Sequence, residues 1–455
     1  MSTACIETLA EEIVASIVSY LDRPSLLALM QTKRFLRPHA EYELYRRVDF
    51  RASDMDMDKN RSVAFQSLDW RSGKKRKPSV RFISQIGKNP RLGTLVRSFY
   101  IQSIQCQELV TVTKDGRTTG LLSNAVNFMP NLKNIAMYHP DEIPACLFQA
   151  QWPTVSWECK IPPFKLERLG LDIRRPKVTL DFPDRLRRVL LCQPTLRQFS
   201  LMFSKDAVLE DDPFSKAVGP AREYLCPDLE VLEGTDSVVQ YLLPNRPRIK
   251  YLFWECMRPY KGESLDHQQV GGTLGDVDVD FRDSFFTAEL CEAYGRLENL
   301  VFSEQIWFLP LLSPYLKSLK TLFLCVGALP ELESEMAPLD DKLFLRTIGE
   351  MQNLEMLVVS WEQDADAEEI PLDPAVVFKA ASKNLKYFAI SDRVTGNEYG
   401  PAFLERREDG RICPVGREKF EEVWYLYKGW SVFGTEEGTG MGFGPRIFPP
   451  QWYFS

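Results

Sequence analysis

Three histidines, His39, His139 and His267, are the only side chains here whose ordinary pKa lies near neutrality. They are far apart in sequence, and none sits beside a serine or cysteine in a nucleophile motif; triads assemble in space, but nothing in the sequence points to one. Asp276-x-Asp278-x-Asp280 copies the opening of a calcium loop, but Phe281 replaces the glycine of its sixth position and Thr287 the glutamate of its twelfth. The glycine runs 271–275 and 438–444 lack the lysine followed by Ser or Thr that closes a phosphate loop, and they read as turns. Ten cysteines never come closer than 13 residues, without CxxC or CxH spacing, so zinc-finger ligation is not indicated and buried free thiols are expected. These residues point to no metal, no cofactor and no enzyme.

The 455 residues carry a net charge of −7, unevenly: −1 over 1–50, +6 over 51–90 and −12 over 91–455. An acidic main domain has no electrostatic means of gripping a nucleic acid backbone. Apolar runs stay short of the ~18 residues of a membrane span, and Glu7, Glu11 and Glu12 stand where a signal peptide would be basic or apolar. No membrane contact and a cytoplasmic or nuclear location are expected.

Thr8-Leu9-Ala10-Glu11 reads as a capping box that opens a helix running to about Tyr20. Its apolar residues make two ridges, Leu9/Ile13/Ile17 and Val14/Val18/Leu21. Asp22-Arg23-Pro24 ends this helix and starts a second, with Leu26, Leu27, Leu29 and Met30; a third follows Pro38, with Ala40, Tyr42, Leu44 and Tyr45. About 40 residues cannot bury so much apolar surface alone. One ridge fits an internal core, and the other needs a partner, either another protein or the rest of this chain.

The ordered set Leu9-Ala10-Glu11-Glu12-Ile13-Val14, Ile17-Val18-Ser19-Tyr20-Leu21-Asp22, Ser25-Leu26, Lys33-Arg34-Phe35 and Leu44-Tyr45 resembles an F-box, over residues 8 to about 47. Ala10 replaces the usual proline, and Met30-Gln31-Thr32 a common Val-Cys or Val-Ser stretch. The resemblance implies docking onto the Skp-type adaptor of a cullin–RING ubiquitin ligase, with Leu9, Ile13, Ile17, Leu21, Leu26 and Leu29 supplying the apolar contact.

Residues 51–89 read as a polar linker whose basic cluster, Lys74 to Lys77, suits a nuclear signal or a solvated loop. From about residue 90 the phrase Leu-x-x-Leu-x-Leu recurs, best at Leu166/Leu169/Leu171, Leu319/Leu322/Leu324 and Leu354/Leu357/Val359. Looser copies begin at Leu92, Leu132, Leu196, Leu229, Ile249, Leu297 and Leu385, several behind a turn such as Met129-Pro130-Asn131 or Gln193-Pro194-Thr195. A turn, then a strand, then a helix-like stretch (183–192, 374–382) is a unit that buries its apolar face only when stacked. The whole is expected to be α/β: a three-helix F-box over 1–50, then an irregular leucine-rich-repeat solenoid with a curved parallel sheet over 90–425. It resembles the divergent repeats of fungal F-box proteins; a single large α/β domain is the alternative. The aromatic and Gly-rich residues 426–455 would cap the solenoid or bind a partner.

The resulting reading is a non-catalytic substrate receptor of a Skp–cullin–F-box ligase; the alternatives are an F-box scaffold acting outside a ligase and an enzyme of unrecognised fold. If the leucines point inward, the period-two rule turns Tyr138, Asp172, Met202, Phe253, Glu255, Phe323 and Tyr387 outward, as a candidate surface for a protein substrate.

Overall fold

The computed structural model describes residues 9–32, 34–49, 78–102, 110–112, 118–120, 125–138, 147, 163–173, 182–203, 225–255, 284–303, 308–326, 341–361, 373–392 and 402–415. They belong to two compact units, Met1–Leu196 and Arg197–Ser455. The basic cluster 74–77, the glycine runs, Asp276 to Asp280, His139, His267 and the segment 426–455 lie outside the described residues.

The first unit opens with three helices, α1 (Glu11–Ser19), α2 (Arg23–Thr32) and α3 (Arg37–Arg46). Helix α1 begins at Glu11 behind an extended Ala10, so the capping box expected at Thr8 is not the start: Glu11 occupies the first turn and not the third helical position. Glu11 and Glu12 there face the positive end of the helix dipole. Asp22 caps α2, accepting the Ser25 backbone N–H at 3.0 Å, and this bonding with Ser25 holds its carboxyl below the ordinary range. Val14, Val18, Leu26, Leu36 and Ala40 form the core of the three helices.

Strand β1 (Arg47–Asp49) follows α3 at once and pairs in parallel with β2 (Ser98–Gln102). The expected linker 51–89 ends in a helix, α4 (Pro78–Lys88), whose Ile83 and Ile86 are buried, followed by the short α5 (Pro90–Gly93). Glu41 ties these parts together, receiving Arg91 at 2.6 Å and Arg37 at 3.2 Å. Burial pushes this carboxyl upward, but the two guanidinium partners outweigh it and hold it below the ordinary value. A two-stranded antiparallel pair, β3 (Val110–Val112) with β4 (Thr118–Gly120), stands apart from the parallel set. The latter continues from β2 to β5 (Asn134–Tyr138) and β6 (Arg168–Ile173), and α6 (Phe182–Cys192) completes the unit.

In the second unit the strands lie side by side in chain order. They are β7 (Gln198–Phe203), β8 (Val231–Thr235), β9 (Tyr251–Glu255), β10 (Asn299–Ser303), β11 (Thr321–Val326), β12 (Met356–Trp361) and β13 (Tyr387–Asp392), all parallel. An antiparallel pair, β14 (Ala402–Arg406) and β15 (Ile412–Pro414), continues the sheet. Between strands lie α7 (Asp236–Leu242), α8 (Ala288–Tyr294), α9 (Leu309–Leu312), α10 (Asp341–Glu350) and α11 (Pro374–Ala380). The fold class is therefore α/β, with open and mostly parallel sheets.

The repeated phrase has a physical counterpart. The N–H of its first apolar residue donates to the carbonyl three residues back, as in Leu132 to Met129, Leu229 to Cys226, Leu354 to Met351 and Leu385 to Ser382. Two residues later an N–H reaches the preceding repeat, as in Thr321 to the Glu298 carbonyl and Met356 to that of Lys320. The side chain just before the first apolar residue also reaches back: Asn131 to the Thr94 carbonyl, Asn353 to Lys317 and Asn384 to Gln352. The copy read at Leu92/Leu95 is displaced by four residues. Leu92 lies in α5, and Val96 and Phe99 occupy the buried positions leading into and along β2.

Candidate functional site

Helix α1 carries its two ridges in different surroundings. Val14 and Val18 are sealed at 3% and 1% exposure, with Leu21 half-buried against the same core. Leu9, Ile13 and Ile17 remain 37%, 49% and 42% exposed. Ile13 and Ile17 are one turn apart on the same helix face, with Leu9 just before its N-cap. The aliphatic ridge is thus accessible on a helix whose neighbouring ridge anchors it.

The remaining adaptor-contact residues divide differently. Leu26 is buried among the three helices and is a core residue, not part of an accessible face. Leu21 and Leu29 are half-buried against that core. Leu27, next to Leu26 on α2, is 50% exposed, and Tyr20 and Phe35 are exposed as well. The sequence could not choose between Leu26 and Leu27, because adjacent leucines differ only in which helix face α3 happens to cover.

The surface expected to hold substrate is corrected by the burial pattern. Phe253 and Phe323 are buried, and so is Met202, although each lies on the sheet face opposite the phrase leucines. With Val301, Met356, Val358, Ala389 and Phe403 they form a second hydrophobic cluster, against which Tyr387 is packed half-buried. Glu255 is half-buried at the end of β9; Tyr138 and Asp172 sit in β5 and β6, and their side chains lie outside the described residues. Leu252 and Leu322 are buried as well, so these strands are covered on both faces and the face opposite the phrase leucines is a core, not an open surface. The missed signal is in the strands themselves: Tyr251-Leu252-Phe253-Trp254 and Leu322-Phe323-Leu324-Cys325-Val326 are continuous apolar runs, the pattern of strands covered on both faces.

The helix-side face is the more specific of the two. Trp254 is fully buried, stacks on Phe285 at 5.2 Å, meets Phe302 and Phe308 edge-on, and donates its indole N–H to Asp236 at 2.8 Å. These contacts serve packing. Of the four cysteines whose side chains are described, all free, Cys226 is buried while Cys192, Cys291 and Cys413 are half-buried, so among these the expectation of buried thiols is met at Cys226. Burial pushes the Cys226 thiol up to about 12, which removes it as a nucleophile. Among the described residues no group of His, Cys, Asp or Glu could hold a metal ion, and no helix is long and apolar enough to cross a membrane. No family model matches the chain, and no curated protein matches it in sequence.

Proposed function

We propose that this chain is a substrate receptor of a Skp–cullin–F-box ubiquitin ligase, docking onto the adaptor through its N-terminal helices and holding a protein substrate on the α/β part. The observation that carries the reading is the exposed ridge Leu9/Ile13/Ile17 on a helix whose neighbouring ridge, Val14/Val18, is buried. Three aliphatic side chains aligned toward solvent favour an apolar groove, and a few such anchors supply most of the energy of a helix-in-groove complex. Leu27 joins the contact set in place of Leu26.

Ile13→Asp with Ile17→Asp is the test, because each new carboxylate would enter the interface unpaired. Adaptor affinity should fall by about 100-fold or more. The thermal midpoint should barely move, since both positions are exposed in the free chain. Undiminished adaptor binding by the double variant defeats the proposal. Adaptor binding without co-purification of a cullin would favour the scaffold instead.

A further inference from the structure

We propose that the last repeat carries a docking groove for an acidic segment of a partner protein, lying between α11, the turn into β13 and the β14–β15 hairpin. The groove is a shallow depression, widely open to solvent, with a volume of about 1300 Å³. That exceeds the usual size of small-molecule pockets, roughly 300–1,000 Å³, and suits a length of polypeptide. This deepens the reading above by naming a class of substrate segment.

Its floor is apolar and fixed. Leu385 and Phe378 are buried beneath it, and Ile412 lines it while still 37% exposed. Arg406 locks the floor in place: its guanidinium lies over the Phe378 ring at 4.9 Å, donates to the Ser382 carbonyl at 3.1 Å, and donates to the Phe378 carbonyl. A site held this way loses little conformational freedom when a ligand arrives.

The charge of the rim selects the occupant. Lys379, Lys383 and Arg407 line the groove, are exposed, and have no carboxylate partner among the described residues. Among the acidic groups of the lining, Glu405 accepts the Tyr387 hydroxyl, and Asp409 pairs with Arg411. Glu405 keeps its charge on accepting a neutral hydroxyl, so it and Glu408 both oppose the rim cations, but the lining as a whole carries five basic side chains (Lys379, Lys383, Lys386, Arg406 and Arg407) against three carboxylates (Glu405, Glu408 and Asp409). A basic rim within a segment of net charge −12 is a local reversal of sign, and it attracts carboxylates where the rest of the domain repels them. Acidic residues to meet the rim and an apolar side chain to cover Ile412 define the partner segment.

The full chain can be titrated, without ligase components, against two fluorescein-labelled peptides, one alternating Glu and Leu and the other Lys and Leu. The acidic peptide should bind with an affinity that falls as salt is raised, and the basic one should not bind. Lys379→Glu with Lys383→Glu and Arg407→Glu should weaken binding by about tenfold or more, and Ile412→Asp should weaken it separately. Equal binding of both peptides, or an unchanged affinity in the triple variant, overturns the proposal. So does binding of neither, the result expected if the chain's own residues 416–455 or a second copy fill the groove; a dimer in sedimentation, lost in the triple variant, identifies the second copy. Adaptor affinity measured on the same variants should be unchanged, so failure at the groove is separable from failure of adaptor docking.

Discussion

Glu298 shows how single charges align the strands. It stands just before β10 and receives Lys250 at 2.5 Å and Lys320 at 2.8 Å, from the residues in the same position before β9 and β11. Neighbouring pairs repeat the arrangement at Arg197–Glu230, 3.9 Å, and Glu355–Lys386, 3.7 Å. Hydrogen bonds from Lys250 and then Lys320 hold the Glu298 carboxyl below its ordinary value against the opposing effect of burial. A carboxyl lowered on folding contributes stability that is fully present above its unfolded pKa and is lost as pH falls through the folded value. Glu298→Gln should therefore destabilise by roughly 0.5–1 kcal/mol at neutral pH, since both lysines are half-exposed, and the deficit should vanish in acid. Chemical denaturation of both proteins across pH 2 to 7 checks this; a deficit that persists in acid would mean packing and not charge.

Arg246 is a different kind of residue, almost completely buried, donating to the Leu225 carbonyl through two nitrogens and to the Pro244 carbonyl through a third. It closes the turn before β9 by satisfying carbonyls from two segments. Arg246→Met keeps the apolar stem but strands those acceptors, and about 3 kcal/mol of stability should be lost. A loss below about 0.5 kcal/mol in urea titration would show that the carbonyls find other donors.

At the scale of elements, helix-to-strand spacing is set by a glycine. A Cβ placed on Gly234 in β8 would lie 2.5 Å from Val238 Cγ1 and 2.6 Å from Val238 Cβ in α7, one helical turn later in the chain. The helix sits on the strand as closely as the missing side chain allows. Gly234→Ala should cost about 1–3 kcal/mol by overpacking. Adding Val238→Ala should not restore it, because the Val238 Cβ itself is within the clash distance; full rescue would refute this close approach. Turn and helix boundaries follow from local chemistry, including Asp373, which accepts the Ala375 N–H at the start of α11.

At the scale of the whole molecule, the second face of the sheet decides which mutations affect folding and which affect binding. Phe323 is 1% exposed, so Phe323→Ala should cost about 3–5 kcal/mol of stability by leaving a cavity. The substitution should lower the thermal midpoint with adaptor affinity intact in the fraction that folds. An unchanged midpoint, with loss of a partner, would instead return Phe323 to the role of an exposed contact.

The sequence by itself determined the elements whose causes are local. Proline and aspartate placed the breaks among the first three helices, and period-four spacing separated the ridges of α1. The phrase from Leu132 onward located β5 to β13, because a turn followed by alternating apolar residues admits few other conformations. Tertiary structure decided what covers each face. Leu26 and Leu27 are indistinguishable until α3 packs on one of them. Phe253 and Phe323 lie on the expected face but within a second core, because a strand fixes side-chain direction and says nothing about what lies above it. The basic groove joins Lys379, Lys383 and Arg407 from α11, the following turn and the end of β14, residues whose proximity depends on the antiparallel return of the chain beside β13. Periodicity is carried by neighbours in the chain, whereas burial and charge juxtaposition are set by neighbours in space.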